Sequence, residues 1–337
     1  MRIYITIDVE CSLPSLSKGG DPEPVGTKKR VYGDVQGKQY GIHFIMDMLD
    51  KHGFKGTFFC DSCMTYLVGE SETGKVLRDI TSRDHDVQLH VHPIYRLWAS
   101  TATRILLPRE QWSDHMGKLP TWLQADLIKE GRDLLKKHTG REPTAFRAGN
   151  YGASAATLEL LASHGFLIDS SYNLWAQTNA GYGQTLRTEE PVNAPFKMNG
   201  ILEFPVTCFV TAERWPRAYR FFAPEGASFT EMCMALMRLR AAGVEDAVVV
   251  LHSFSFLKAD DPHYRSVKFN AIAYRRFRRL LQYLAARKDD YQVLSFSDYL
   301  RQGHKPEHSA VTPRHFVRVP IWAVGLRIAG QLIQRYI

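Results

Sequence analysis

Two carboxylates one residue apart, Asp8 and Glu10 in "TIDVE", and two imidazoles with the same spacing, His90 and His92 in "LHVHP", are the residues best suited to chemistry. Each pair ends an apolar, β-branched run. Because side chains alternate along a strand, both members of a pair point to one face. Two imidazoles with a carboxylate form a mixed nitrogen and oxygen donor set for Zn²⁺ or a similar first-row divalent cation, with a position left open for water. Hydrolysis at such a site also needs a base to take the proton of that water. Asp8, farther back along the strand, is assigned as the base and Glu10 as the metal ligand with His90 and His92; from the residues alone the reverse assignment of the two carboxylates stays open.

Further polar residues fall at the ends of other apolar runs. Arg147 in "FRAGNYG" offers a fixed cationic fork that could orient Asp8, or it could form a purely structural ion pair. His252 ends "VVVLH" and suits a general acid that protonates a leaving group; the alternative is a core histidine bonded to a carbonyl. Asn150, Tyr151 and Asp169 are expected to line the substrate. His85 is expected to be structural, and Cys60 and Cys63, a C-x-x-C with no second pair to complete a zinc site, to be ordinary small side chains. "RWPRAYRFF" interleaves arginines with aromatic rings and carries no assignment by itself.

The elements that must position these groups alternate strand and helix along the chain. "GIHFIMDMLDKHGF", "TWLQADLIKEGRDLLKKHTG", "SAATLELLASHG", "SFTEMCMALMRLRAAG" and "AYRRFRRLLQYLAAR" have helical spacing, with Thr121 and Gly140 bounding the second and Ser228 or Thr230 capping the fourth. "GTFFC", "HDVQLHVHP", "FLIDSSY", "GILEFPVT", "DAVVVLHSFSF" and "YQVLSFSDYL" read as strands. Such alternation predicts a parallel sheet flanked by helices, open or closed, whose C-terminal strand ends carry the site. The long polar stretch from Ser12 to Tyr40 reads as a functional loop.

The 337 residues carry a net charge of +8, which favours anionic partners. The first strand begins at the second or third residue, leaving no room for a secretory leader, and the five cysteines are poor material for a disulfide framework. A cytoplasmic protein is therefore expected. Residues 1–303 are expected to form one domain and 304–337 a basic amphipathic tail, too often interrupted by arginine to span a membrane but suited to lie on an anionic one or to pack on the domain.

In order, TIDVE, HDVQLHVHP, FRAGNYG, IDSSY, ILEFPVT and VLHSF resemble the polysaccharide deacetylases of the NodB-homology group, carbohydrate esterase family 4, over roughly residues 1 to 300. The resemblance implies a distorted (β/α)7-type barrel and metal-dependent removal of N-acyl groups from amino sugars. It matches Asp8 to the base, Glu10, His90 and His92 to the metal ligands, Arg147 to the arginine that orients the base, and His252 to the acid. Two departures stand out: Val9 separates carboxylates that are adjacent in many members, and the histidines are two apart where four is usual. The expected partner is an amino-sugar substrate, nucleotide- or lipid-linked, with peripheral membrane contact through the tail and no nucleic acid. The competing readings are another metal-dependent amide hydrolase in the same barrel, or a non-catalytic glycan- or membrane-binding barrel.

Overall fold

The computed structural model describes residues 1–14, 22–178, 186–211, 219–303, 316–325 and 327–328. Its principal strands are β1 Arg2–Val9, β2 Thr57–Asp61, β3 Asp86–Val91, β4 Ala145–Ala148, β5 Ile168–Asp169, β6 Phe196–Met198, β7 Ile201–Glu203, β8 Asp246–His252 and β9 Gln292–Leu294. They form one curled sheet in the order β8-β1-β2-β3-β4-β5-β7-β6, with β9 beside the first residues of β1. All pairings are parallel except that of β6 with β7. The expected barrel is therefore observed in its distorted form.

Side-chain alternation builds two cores from the same strands. Ile3, Ile5, Ile7 and Val9 of β1 join the outer cluster beneath the helices, whereas Tyr4 joins an inner cluster with Phe59, Val248, Val250, Leu294 and Phe296. Burying each of these large side chains stabilises the fold by about 1.5–3 kcal/mol. Register then decides the rim: Asp8 stands opposite His252 on one side of β1, and His90 opposite Arg147. Among the described residues no strand pairing closes the sheet between β7 and β8. There the Val250 N–H donates to Phe222 O at 2.8 Å, and the Val248 N–H to Thr207 Oγ1 at 2.8 Å. These bonds satisfy edge groups that would otherwise be buried without partners.

Five helices follow the predicted spacing, Ile42–Asp50, Thr121–Thr139 ending at a left-handed Gly140, Ala155–Ser163, Phe229–Ala241 and Ala271–Ala285, and a further helix, Glu70–Thr81, was not read from the sequence. Ser228 is the N-cap of Phe229–Ala241, in a capping box with Glu231. One expectation is corrected. "YQVLSFSDYL" is not a strand throughout: β9 stops at Leu294, and Ser295 with Asp298 forms a capping box that starts the helix Phe296–Arg301.

Of the expected tail, residues 304–315, 326 and 329–337 lie outside the described residues, as do Arg214, Trp215 and Arg217 of the basic aromatic stretch. What is described packs on the domain. Arg318 bridges to Val210, Ala323 is buried, and Arg327 reaches buried Glu231 at 3.1 Å. Among the described residues no helix is long and apolar enough to cross a membrane.

Candidate active site

β1 delivers its two carboxylates to one rim, and each meets a different set of partners. Asp8 Oδ1 accepts from Arg147 Nη1 at 2.7 Å, and Asp8 Oδ2 lies 3.9 Å from His252 Nε2. Arg147 is fully buried at the end of β4. It also donates to Thr6 Oγ1 at 3.0 Å and to Ser170 O and Oγ at 3.1 and 3.0 Å, and its guanidinium lies 4.4 Å over the Phe59 ring. With every nitrogen held, its orientation and that of Asp8 are fixed. His252 is the most open member, its side chain 31% exposed.

Glu10 Oε2 lies 2.7 Å from His92 Nε2 and 3.4 Å from His90 Nε2. The other ring nitrogens are held from outside: His90 Nδ1 meets Arg147 O at 2.7 Å, and His92 Nδ1 meets Asp114 Oδ2 at 2.7 Å. An acceptor at Nδ1 keeps the proton there and turns the Nε2 lone pair inward, the tautomer that metal-ligating histidines need. The three ligand atoms lie within 4.8 Å of one another. A divalent cation therefore fits the donor set formed by Glu10, His90 and His92.

The electrostatics agree with a site built for positive charge. Burial works against ionising Glu10, but His92, His90 and Arg30 outweigh it and hold the carboxyl well below its usual range. Burial likewise opposes a charged His92, and Asp114 and Glu10 outweigh it, so its pKa is raised. Beneath, burial pushes Asp61 up to about 7 against the pull of His92 and His90, while its Oδ1 accepts the His92 and Cys63 N–H groups.

The remaining expected residues sit differently. Asn150 is half-buried and donates to Asp114 Oδ2 at 2.7 Å, so it braces the support of His92. Tyr151 is buried with the inner cluster. Asp169, expected at the substrate, is fully buried with its oxygens on Ser171, in register with Phe146 on one side and Glu203 on the other. Burial raises the pKa of both Asp169 and Glu203, most strongly that of Glu203, which Asp169 adds to. His85 is buried away from the rim and accepts the Gly56 N–H, and Cys60 and Cys63 are buried with thiols pushed well up by burial, as their structural readings expected. Sequence reasoning missed Arg30, Asp114 and Gly149. The first two lie in irregular stretches where no period marks them, and Gly149 is the glycine inside "FRAGNYG".

The model of the polysaccharide deacetylase family matches residues 39–168. Over that segment the chain is similar to the polysaccharide deacetylases. The matched segment holds His90, His92, Asp114 and Arg147, while Asp8, Glu10 and His252 of the candidate site lie outside it and are joined to it by the barrel. A structure from Mycobacterium smegmatis, described provisionally as a polysaccharide deacetylase, is similar at 17% identity over 93% of this chain and 92% of that one, with a TM-score of 0.50. Puue allantoinase is similar at 15% identity over 93% and 91%, with a TM-score of 0.54. At such identities these likenesses speak to the fold. They place the same barrel fold over nearly the whole chain. No curated protein matches the sequence.

Proposed function

We propose that the protein is a metal-dependent hydrolase that removes an N-acyl group, in the first instance acetyl, from an amino sugar of a glycan or glycolipid precursor. The family match supports a deacetylase acting on a glycan. The observation that carries the finer reading is the division of labour on β1: Asp8 bound to Arg147 and facing His252, Glu10 turned to two histidines. Glu10, His90 and His92 would hold the divalent cation, with Zn²⁺ the best match to the donor set. When bound, such a cation polarises the amide carbonyl and acidifies water. Asp8, oriented by Arg147, accepts the proton of the attacking water. His252 gives a proton to the departing amine from the open side of the rim.

Asp8→Asn tests this reading. Amine release from N-acetylated amino-sugar oligomers should fall by about 10²–10⁴-fold with the metal content of the purified protein unchanged. Unchanged turnover would overturn the assigned base. A panel that adds N-formyl sugars and non-sugar amides separates the deacetylase from other amide hydrolases.

The reading includes peripheral contact with the anionic inner face of a membrane, where a lipid-linked substrate would be met. Ile321 and Trp322 are 78% and 58% exposed beside buried Ala323, and the chain carries a net charge of +8. Wild-type protein should sediment with vesicles containing anionic lipid, and a double Ile321→Ser, Trp322→Ser variant should not; equal sedimentation of both would remove the contact from the proposal.

A further inference from the structure

Glu10 has two oxygens, and they do different work. Oε2 faces the two histidines, whereas Oε1 accepts from Arg30 Nη2 at 2.7 Å. Arg30 closes the short helix Thr27–Arg30 and is 9% exposed. Its Nη1 donates to the Tyr264 hydroxyl at 2.8 Å, and its guanidinium carbon lies 3.3 Å from the centre of the Phe254 ring. An exposed arginine could swing away from a carboxylate; this one is stacked, bonded and buried, so the contact is built in. Phe254 and Tyr264 both follow His252 in the chain, so Arg30 also ties the loop after β1 to the loop after β8.

We propose that Arg30 is a positioning residue that holds one oxygen of Glu10 and leaves Oε2 as the single oxygen offered to a cation. The inference rests on Glu10 being a cation ligand. A carboxylate with both oxygens free could bind a divalent ion through two contacts and use up a coordination position. With Oε1 committed to Arg30, Glu10 contributes one contact, and a position stays open for water or the substrate carbonyl. The same guanidinium places a positive charge against the ligand, which makes Glu10 a weaker donor and disfavours the incoming cation. Arg30 thus trades metal affinity for an open coordination position.

The test is metal affinity, read without any substrate. Co²⁺ binding to the full chain is measured by competition with a chelating dye for wild type, Arg30→Met and Arg30→Lys. Arg30→Met should bind Co²⁺ about fivefold or more tightly than wild type, and Arg30→Lys, which keeps the charge, should stay within about twofold. Equal or weaker binding by Arg30→Met overturns the inference. Should Arg30→Met not fold, Arg30→Gln, which keeps a donor for Tyr264 but loses the charge, carries the same expectation and the same overturning result. Wild-type protein that binds neither Co²⁺ nor Zn²⁺ overturns the cation reading of Glu10 and this inference together, whereas wild-type binding with no gain in the variant overturns the inference alone.

Discussion

Gly149 stands where a methyl group has no room. A Cβ built there would lie 2.7 Å from His92 Nδ1 and 2.8 Å from Val91 O. The His92 ring is fixed by Asp114 on one side and Glu10 on the other, so it has no free direction in which to yield. Gly149→Ala is therefore expected to push His92 out of line, weakening divalent-metal binding by about tenfold and lowering stability by about 1–3 kcal/mol. Metal titration and chemical denaturation of the variant check this; wild-type affinity would mean that His92 is not a ligand. At this scale the sequence made Asp8, Glu10, His90, His92, Arg147 and His252 legible, because a polar residue closing an apolar run is conspicuous. Arg30 and Asp114 were invisible for the opposite reason: a charged residue in a polar loop looks like any solvated one until the fold buries it against a partner.

At the scale of elements, period two explains the site. Ile3, Ile5, Ile7 and Val9 turn outward beneath the helices, so Tyr4, Thr6, Asp8 and Glu10 must turn inward, and the alternation read from "RIYITIDVE" is the alternation of the two cores. The same rule carries Val248, Val250 and His252 inward on β8, and it worked wherever a strand was long and apolar. It worked less well at the C-terminal end of the domain. In "YQVLSFSDYL" the apolar residues suggest one strand, but Ser295 and Asp298 form reciprocal cap bonds that begin a helix after three strand residues. A capping signal inside a short apolar run is a local cue that outweighs periodicity. The burial of Asp169 was not legible for a different reason: two-residue strands such as β5 have no length over which to show which face points inward.

For the whole molecule, His85 couples folding to pH far from the rim. It is buried, its Nδ1 accepts the Gly56 N–H at 3.1 Å, and burial lowers its pKa to about 4 from an ordinary 6.5. Protonation would remove that acceptor. The unfolded chain takes up the proton below about 6.5 and the folded chain only near 4, so stability is fully present above 6.5 and falls as pH drops through this window. The contribution is roughly 3 kcal/mol as an upper bound across the full interval. Urea denaturation at pH 7 and pH 5 should show wild type losing stability, with a smaller loss in His85→Gln; equal losses would assign the pH dependence to other groups. The sequence by itself determined the alternating strands and helices, the rim on which the polar groups stand and the convergence of Asp8 and Glu10 on one face, because periodicity and local spacing are properties of neighbours in the chain. Only the tertiary structure decided what each of those groups touches. The contacts of Arg30 with Glu10, Asp114 with His92 and Arg147 with Asp8 join residues 20, 22 and 139 positions apart, and such meetings are set by how the sheet curls and not by any local pattern.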